Sequence, residues 1–243
     1  MNCLKLTLAL VCSVAGTLLA EPPDVAAPRT KVYPWMTLEK WREFHAGDLA
    51  RAKEGRIDVL FLGDSITEAW DKNGAKVWES NFAPLHAANF GIGGDTTQNV
   101  LWRITEGGAL KGVNPRVVVL MIGTNNFGLN GDEPAAVLRG IDAIIEALGS
   151  ACPEAKVLLL DIFPRGNPGD PLRTKVTEAN RLLEDYGGKH PGVTRLRIWD
   201  EFMNADGTLP PEIVPDKLHL SEKGYSIWAG AVLPVIRRLL AES

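Results

Sequence analysis

A three-layer α/β/α sandwich around a central, mostly parallel five-stranded sheet is the architecture the sequence predicts, and three observations carry it. Short apolar runs, too short to be buried helices, recur between Gly, Pro or charged residues and read as buried strands. Longer stretches with helical periodicity lie between them, the alternation expected of a parallel sheet covered on both faces. At 243 residues, 45% hydrophobic and 23% charged, the chain can bury one sizeable core and has none of the biases of collagen, coiled coils or disordered chains.

The first segment does not read as part of that fold. Lys5 is the sole charge in residues 1–20, and Leu6–Ala20 is an uncharged run rich in Leu, Val, Ala and small residues, the pattern of a secretory signal peptide. This run is shorter than the roughly 20 residues a bilayer span requires, and Glu21-Pro22-Pro23 follows at once. Cleavage is expected after Ala20, giving a secreted or periplasmic protein with no stable membrane span after signal removal. Cys3 and Cys12 leave with the signal, so Cys152 remains without a partner for an intramolecular disulfide or a Cys-based zinc site.

Residues 21–36 contain four Pro and little periodicity, an extended Pro-rich lead-in expected to pack poorly. A single domain is expected over 37–243. Its first element is an amphipathic helix over 37–54, capped by Thr37, with Leu38, Trp41, Phe44 and Leu49 at helical spacing. Strands are expected at Ile57–Leu62, Ala87–Phe90, Val117–Ile122, Val157–Phe163 and Leu196–Trp199. Helices are expected over Pro134–Leu148 and Leu172–Tyr186. A terminal amphipathic helix spans Ser221–Leu240, with Pro234 expected to bend it. The 26 Lys+Arg against 30 Asp+Glu give a net charge of -4 with no basic run, which excludes the cationic stripe a nucleic-acid partner needs.

Open parallel sheets bind ligands at the carboxyl ends of their strands, so the residues that follow each run are candidates for chemistry. Ser65 directly follows the first strand and opens an apparent helix, where its own N–H meets developing negative charge favourably. On position alone it is also a good helix cap, and Thr67 replaces the second glycine of a GxSxG elbow. A serine nucleophile needs a general base, usually a histidine oriented by a carboxylate. Of four histidines, His45, His86 and His190 suit surface or packing roles, whereas Asp216 precedes His219 by three residues just before the last helix. Gly93-Gly94 permits backbone N–H groups to face a site, and Asn125 offers an amide donor that does not titrate; a glycine turn and an Asn-rich loop that satisfies its own backbone are the frequent alternatives. Trp70, Trp78 and Trp102 are expected in the core rather than in a cleft.

Together GDS at 63–65, Gly94, GTNN at 123–126 and DxxH at 216–219 resemble the SGNH, or GDSL-type, hydrolases. The stretch Pro84–Thr97, continuing through Val100-Leu101-Trp102-Arg103, resembles the catalytic alpha subunits of platelet-activating-factor acetylhydrolase, and Pro164-Arg165-Gly166 with Pro171-Leu172-Arg173 extend the likeness. The resemblance covers most of 57–240 and implies a flavodoxin-like fold. It implies Ser65 as nucleophile, His219 as base, Asp216 as its orienting acid, and Ser65 N–H, Gly94 N–H and the Asn125 side chain as the oxyanion hole.

The function expected is an exported serine esterase cleaving short, above all acetyl, esters of a small molecule or carbohydrate through an acyl-enzyme. A lysophospholipase or thioesterase of the same fold, or a non-catalytic carbohydrate-binding module, are the alternatives. Neither a cofactor nor a metal is expected, since no HExxH or clustered ligand pattern appears. The one macromolecular partner left open is a second copy of the chain in a homodimer.

Overall fold

The computed structural model describes residues 21–184 and 186–242; the expected signal peptide lies outside them. Five strands, β1 (Val59–Gly63), β2 (Ala87–Gly91), β3 (Val117–Met121), β4 (Lys156–Leu160) and β5 (Val193–Leu196), form one sheet in the order β2-β1-β3-β4-β5. Every pairing is parallel. The helices are α1 (Leu38–Lys53), α2 (Ser65–Glu68), α3 (Ala75–Asn81), α4 (Thr97–Ile104), α5 (Pro134–Ala151), α6 (Pro171–Leu182), α7 (Tyr186–Lys189) and α8 (Glu222–Ala241).

Strand alternation splits the core in two. Leu60, Leu62, Val118, Leu120, Val157 and Leu159 point to one face, where Val100, Ile104, Ile141, Ile144 and Val176 of α4, α5 and α6 cover them. Val59, Phe61, Val117, Val119, Leu158 and Leu160 point to the other, under Trp228, Val232 and Ile236 of α8. Both faces being buried, β1 and β3 are apolar throughout, as central parallel strands are. Thr37 caps α1 by accepting from Lys40 N–H, and α8 runs through Pro234 behind its Ser221 cap.

Two expectations need correction. The last strand lies at Val193–Leu196 rather than Leu196–Trp199, and Trp199 opens a short 3-10 turn. As the edge strand it carries Thr194 and Arg195, half-buried, so its sequence lacks the apolar run that marks the others. The lead-in 21–36 does not pack poorly. The Pro23 and Ala27 carbonyls accept from Thr97 Oγ1 at 2.9 Å and Asn99 Nδ2 at 3.0 Å, and Arg29 and Met36 are buried.

The order of the strands sets the position of the site. The chain leaves β1 for β2 on one side and reaches β3 on the other, so the loops after β1 and β3 diverge and leave a crevice at the carboxyl edge. Ser65 follows β1, Gly94 follows β2 and Asn125 follows β3.

Candidate active site

Gly63 ends β1 because nothing larger fits: a Cβ there would lie 2.1 Å from Thr67 Oγ1 and 2.5 Å from the Met121 carbonyl. This close approach turns the chain directly into α2. The cap of α2 is Asp64, whose Oδ1 accepts from Ile66 N–H at 3.0 Å. Ser65 is therefore not the capping side chain, and its hydroxyl lies 2.9 Å from His219 Nε2. On the far side of the ring, His219 Nδ1 lies 2.7 Å from Asp216 Oδ2, while Asp216 Oδ1 accepts from the N–H groups of His219 at 2.7 Å and Leu218 at 3.0 Å.

The turn that carries Asp216 and His219 is held in a costly conformation. Lys217 adopts φ +62, a left-handed backbone that a lysine rarely takes. Its carbonyl accepts from Gly166 N–H at 2.8 Å, and Arg165 next door donates to Thr124 O and Oγ1, both at 3.0 Å. The loops after β3 and β4 thus brace the turn.

The glycine loop after β2 is braced from beneath. Gly94 sits at φ +75, which favours glycine. Glu68 Oε2 accepts from Gly93 N–H at 2.6 Å, and Arg29 Nη2 donates to the Gly93 carbonyl at 2.8 Å. Asp95 is wholly buried and receives Arg29, Trp41 Nε1 at 2.7 Å and Arg103 Nε at 2.7 Å, with Arg103 also paired to Asp48 at 2.9 Å. Burial pushes the Asp95 carboxyl up, and the two arginines and the indole oppose it. With both peptide partners of Gly93 fixed, the Gly94 N–H has no freedom to swing. Among the described residues neither Ser65 N–H nor Gly94 N–H donates to a protein acceptor. Asn125, nearly buried, donates one amide hydrogen to the Asp95 carbonyl at 3.0 Å, leaving the other.

Asp64 and Asp216 differ in electrostatics. Complete burial pushes Asp64 up to about 7, against the Ile66 N–H and the distant charge of His219. For Asp216 burial pushes up as well, but the hydrogen bonds from the His219 ring and backbone outweigh it, and its carboxyl lies below the usual range.

The remaining sequence candidates go elsewhere. His45 bonds the Gly107 carbonyl at 3.1 Å, His190 stacks on Tyr186 at 4.0 Å, and His86 occupies a left-handed turn before β2. Trp70 is core; Trp78 packs on the same core, and Trp102 packs against Trp41. Arg29, Glu68, Trp41 and Trp35 were not legible as site residues, because none belongs to a motif. Asp95, Arg103 and Arg165 stood inside the family-like blocks, a signal without a role.

A hydroxyl, an imidazole and a carboxylate in hydrogen-bonded series, beside a buried glycine loop, suit the chemistry of a hydrolase. The comparisons agree on the class. The pattern of the GDSL-like lipase/acylhydrolase family matches residues 61–227. The chain is 38% identical over 203 residues to the platelet-activating factor acetylhydrolase IB subunit alpha1 of Pongo abelii, covering 84% of this chain and 85% of that one. It is 37% identical over 205 residues to subunit alpha2 of Gallus gallus, covering 84% and 87%. A GDSL-like lipase from Bacteroides thetaiotaomicron superposes with a TM-score of 0.67 at 21% identity, covering 82% of this chain and 97% of that one. The chain belongs to the GDSL-like lipase/acylhydrolase family and is a carboxylic ester hydrolase.

Proposed function

We propose that the protein is an exported serine esterase that removes short acyl groups, acetyl above all, from a small or carbohydrate ester. The observation that carries the reading is the hydrogen-bonded series Ser65 Oγ, His219, Asp216, at 2.9 and 2.7 Å. His219 Nε2 takes the Ser65 proton as Oγ attacks the ester carbonyl. Asp216 holds the ring in the tautomer with hydrogen on Nδ1 and favours the imidazolium that forms. Negative charge develops on the carbonyl oxygen and is met by Ser65 N–H, Gly94 N–H and Asn125 Nδ2. Collapse expels the alcohol, which leaves with the proton from His219, and a water activated by the same ring hydrolyses the acyl-enzyme.

Short acyl groups suit the surroundings. Ser65 Cβ lies 3.7 Å from where a Gly93 Cβ would be, and Met36, a methyl of which lies 3.3 Å from the same point, closes that side. The curated relatives' names point to acetyl esters as well. Export rests on the segment 1–20, with the mature chain starting at Glu21. A series of acyl esters of one alcohol tests the reading: kcat/KM should be highest for acetyl and propionyl and fall toward octanoyl. A profile that rises with chain length would instead support a lipase or lysophospholipase.

A further inference from the structure

One large aromatic side chain beside the glycine loop leaves half its surface in solvent. Trp35 is 49% exposed, yet it is held rigidly. Tyr33 and Met36 close a tight turn with two backbone hydrogen bonds of 3.0 Å, Pro34 fixes the backbone between them, and Met36 is anchored in a small buried cluster with Trp41 and Ile92. Tyr33 lies parallel to the Trp35 indole, 5° between planes and 4.9 Å between centroids. The Arg29 guanidinium sits 5.8 Å from the Tyr33 centroid. The indole edge touches the oxyanion loop: a Cβ on Gly94 would lie 2.5 Å from Trp35 Cη2.

An exposed indole alone is unremarkable on a protein surface. Fixed in a closed turn, stacked on a second ring and abutting Gly94, it is a flat apolar wall at the mouth of the site. We propose that Trp35, backed by Tyr33, is the platform on which the alcohol part of the ester rests, and that this alcohol is a sugar ring. The proposal rests on the esterase reading above. A pyranose presents one face of C–H bonds carrying partial positive charge, which meets the negative face of an aromatic ring. Its hydroxyls need polar partners at the edge, and the groove reaching Gly94 supplies them through Lys31, Gln98, Asn99 and Asn130, with Tyr33 in the same wall. Lys31 and Asn130 are joined at 3.0 Å, a ready donor and acceptor pair. A quaternary ammonium would also seek an aromatic face. Here Arg29 is paired with buried Asp95, and Lys31 balances Glu21 among the groove's remaining charges, so the groove has no net negative charge to draw a cationic alcohol.

The test compares kcat/KM for three acetyl esters: a methyl xyloside carrying one acetyl group, ethyl acetate, and acetylcholine. In the wild type the xyloside should be preferred over ethyl acetate. Trp35→Ala should lower that preference by about tenfold, the size of one aromatic stacking contact, and Trp35→Phe should retain most of it. Melting temperatures of both variants separate a lost contact from a damaged fold. An unchanged xyloside preference in Trp35→Ala would overturn the platform, as would a selective loss on acetylcholine. A wild type inert toward all three esters would overturn the esterase reading itself, a result distinct from an active enzyme whose preference ignores Trp35.

Discussion

Asp64, next to Ser65 in the chain, and Asp216, which holds the far nitrogen of His219, are the same residue type in opposite environments. Asp64 is wholly buried, spends one oxygen on capping α2, and has no hydrogen-bond partner for the other among the described residues. Asp216 has a side chain 55% exposed and receives three hydrogen bonds from the residues beyond it. The first is pushed toward neutrality and the second toward its charge. On the proposed mechanism, environment and not residue type decides which carboxylate can stabilise an imidazolium and which shapes the turn that carries Ser65.

The largest effects break the Asp216 side of the comparison. His219→Ala should cost roughly 10⁶-fold in kcat, since a serine without its base is inert, and Asp216→Asn a smaller loss, roughly 10⁴-fold, since the carboxylate only orients and stabilises the ring. Steady-state kinetics on an acetyl ester would check both. Equal rates for the wild type and Asp216→Asn would mean that the exposed carboxylate is a turn residue like its buried counterpart.

A smaller effect sharpens the Asp64 side. With its pKa raised to about 7 in the folded protein from 3.8, the native state holds more protons than the unfolded chain between those values. Stability therefore falls as pH rises through that window. Asp64→Asn keeps the capping oxygen and removes the titration. Its Tm relative to the wild type should climb between pH 4 and 8, by about 2–4 °C for each kcal/mol of stability that the titration removes in a domain of this size. Asp216 has the opposite sign: its depressed pKa contributes stability that is present above the ordinary Asp range and is lost as pH falls through the folded value. A Tm difference for Asp64→Asn that ignores pH would show that the buried carboxylate does not titrate in this range.

The parts of the molecule legible in the sequence are those encoded locally. The run Val59–Leu62 followed by Gly63-Asp64-Ser65 reads as a strand turning into a helix because each residue's neighbours impose it. Asp216 and His219 sit three apart on one turn. Ser65 also suits the cap of its own helix by position, but Asp64, one residue earlier, takes that role. What could not be read depends on distant partners. Arg29 meets Asp95 across 66 positions and Trp41 meets it across 54, pairings that leave no periodicity or motif. The same holds for the lead-in, whose prolines suggest an unattached strand of chain while its carbonyls are taken by α4. Edge strand β5 hid its boundaries because half of it faces water.

The most direct test of a serine mechanism is to trap the enzyme with a fluorophosphonate ester and locate the adduct by peptide mass spectrometry. One phosphonyl group per chain should be found on Ser65, absent in Ser65→Ala and formed far more slowly in His219→Ala. An adduct on any other residue, or labelling that persists undiminished in Ser65→Ala, would contradict it.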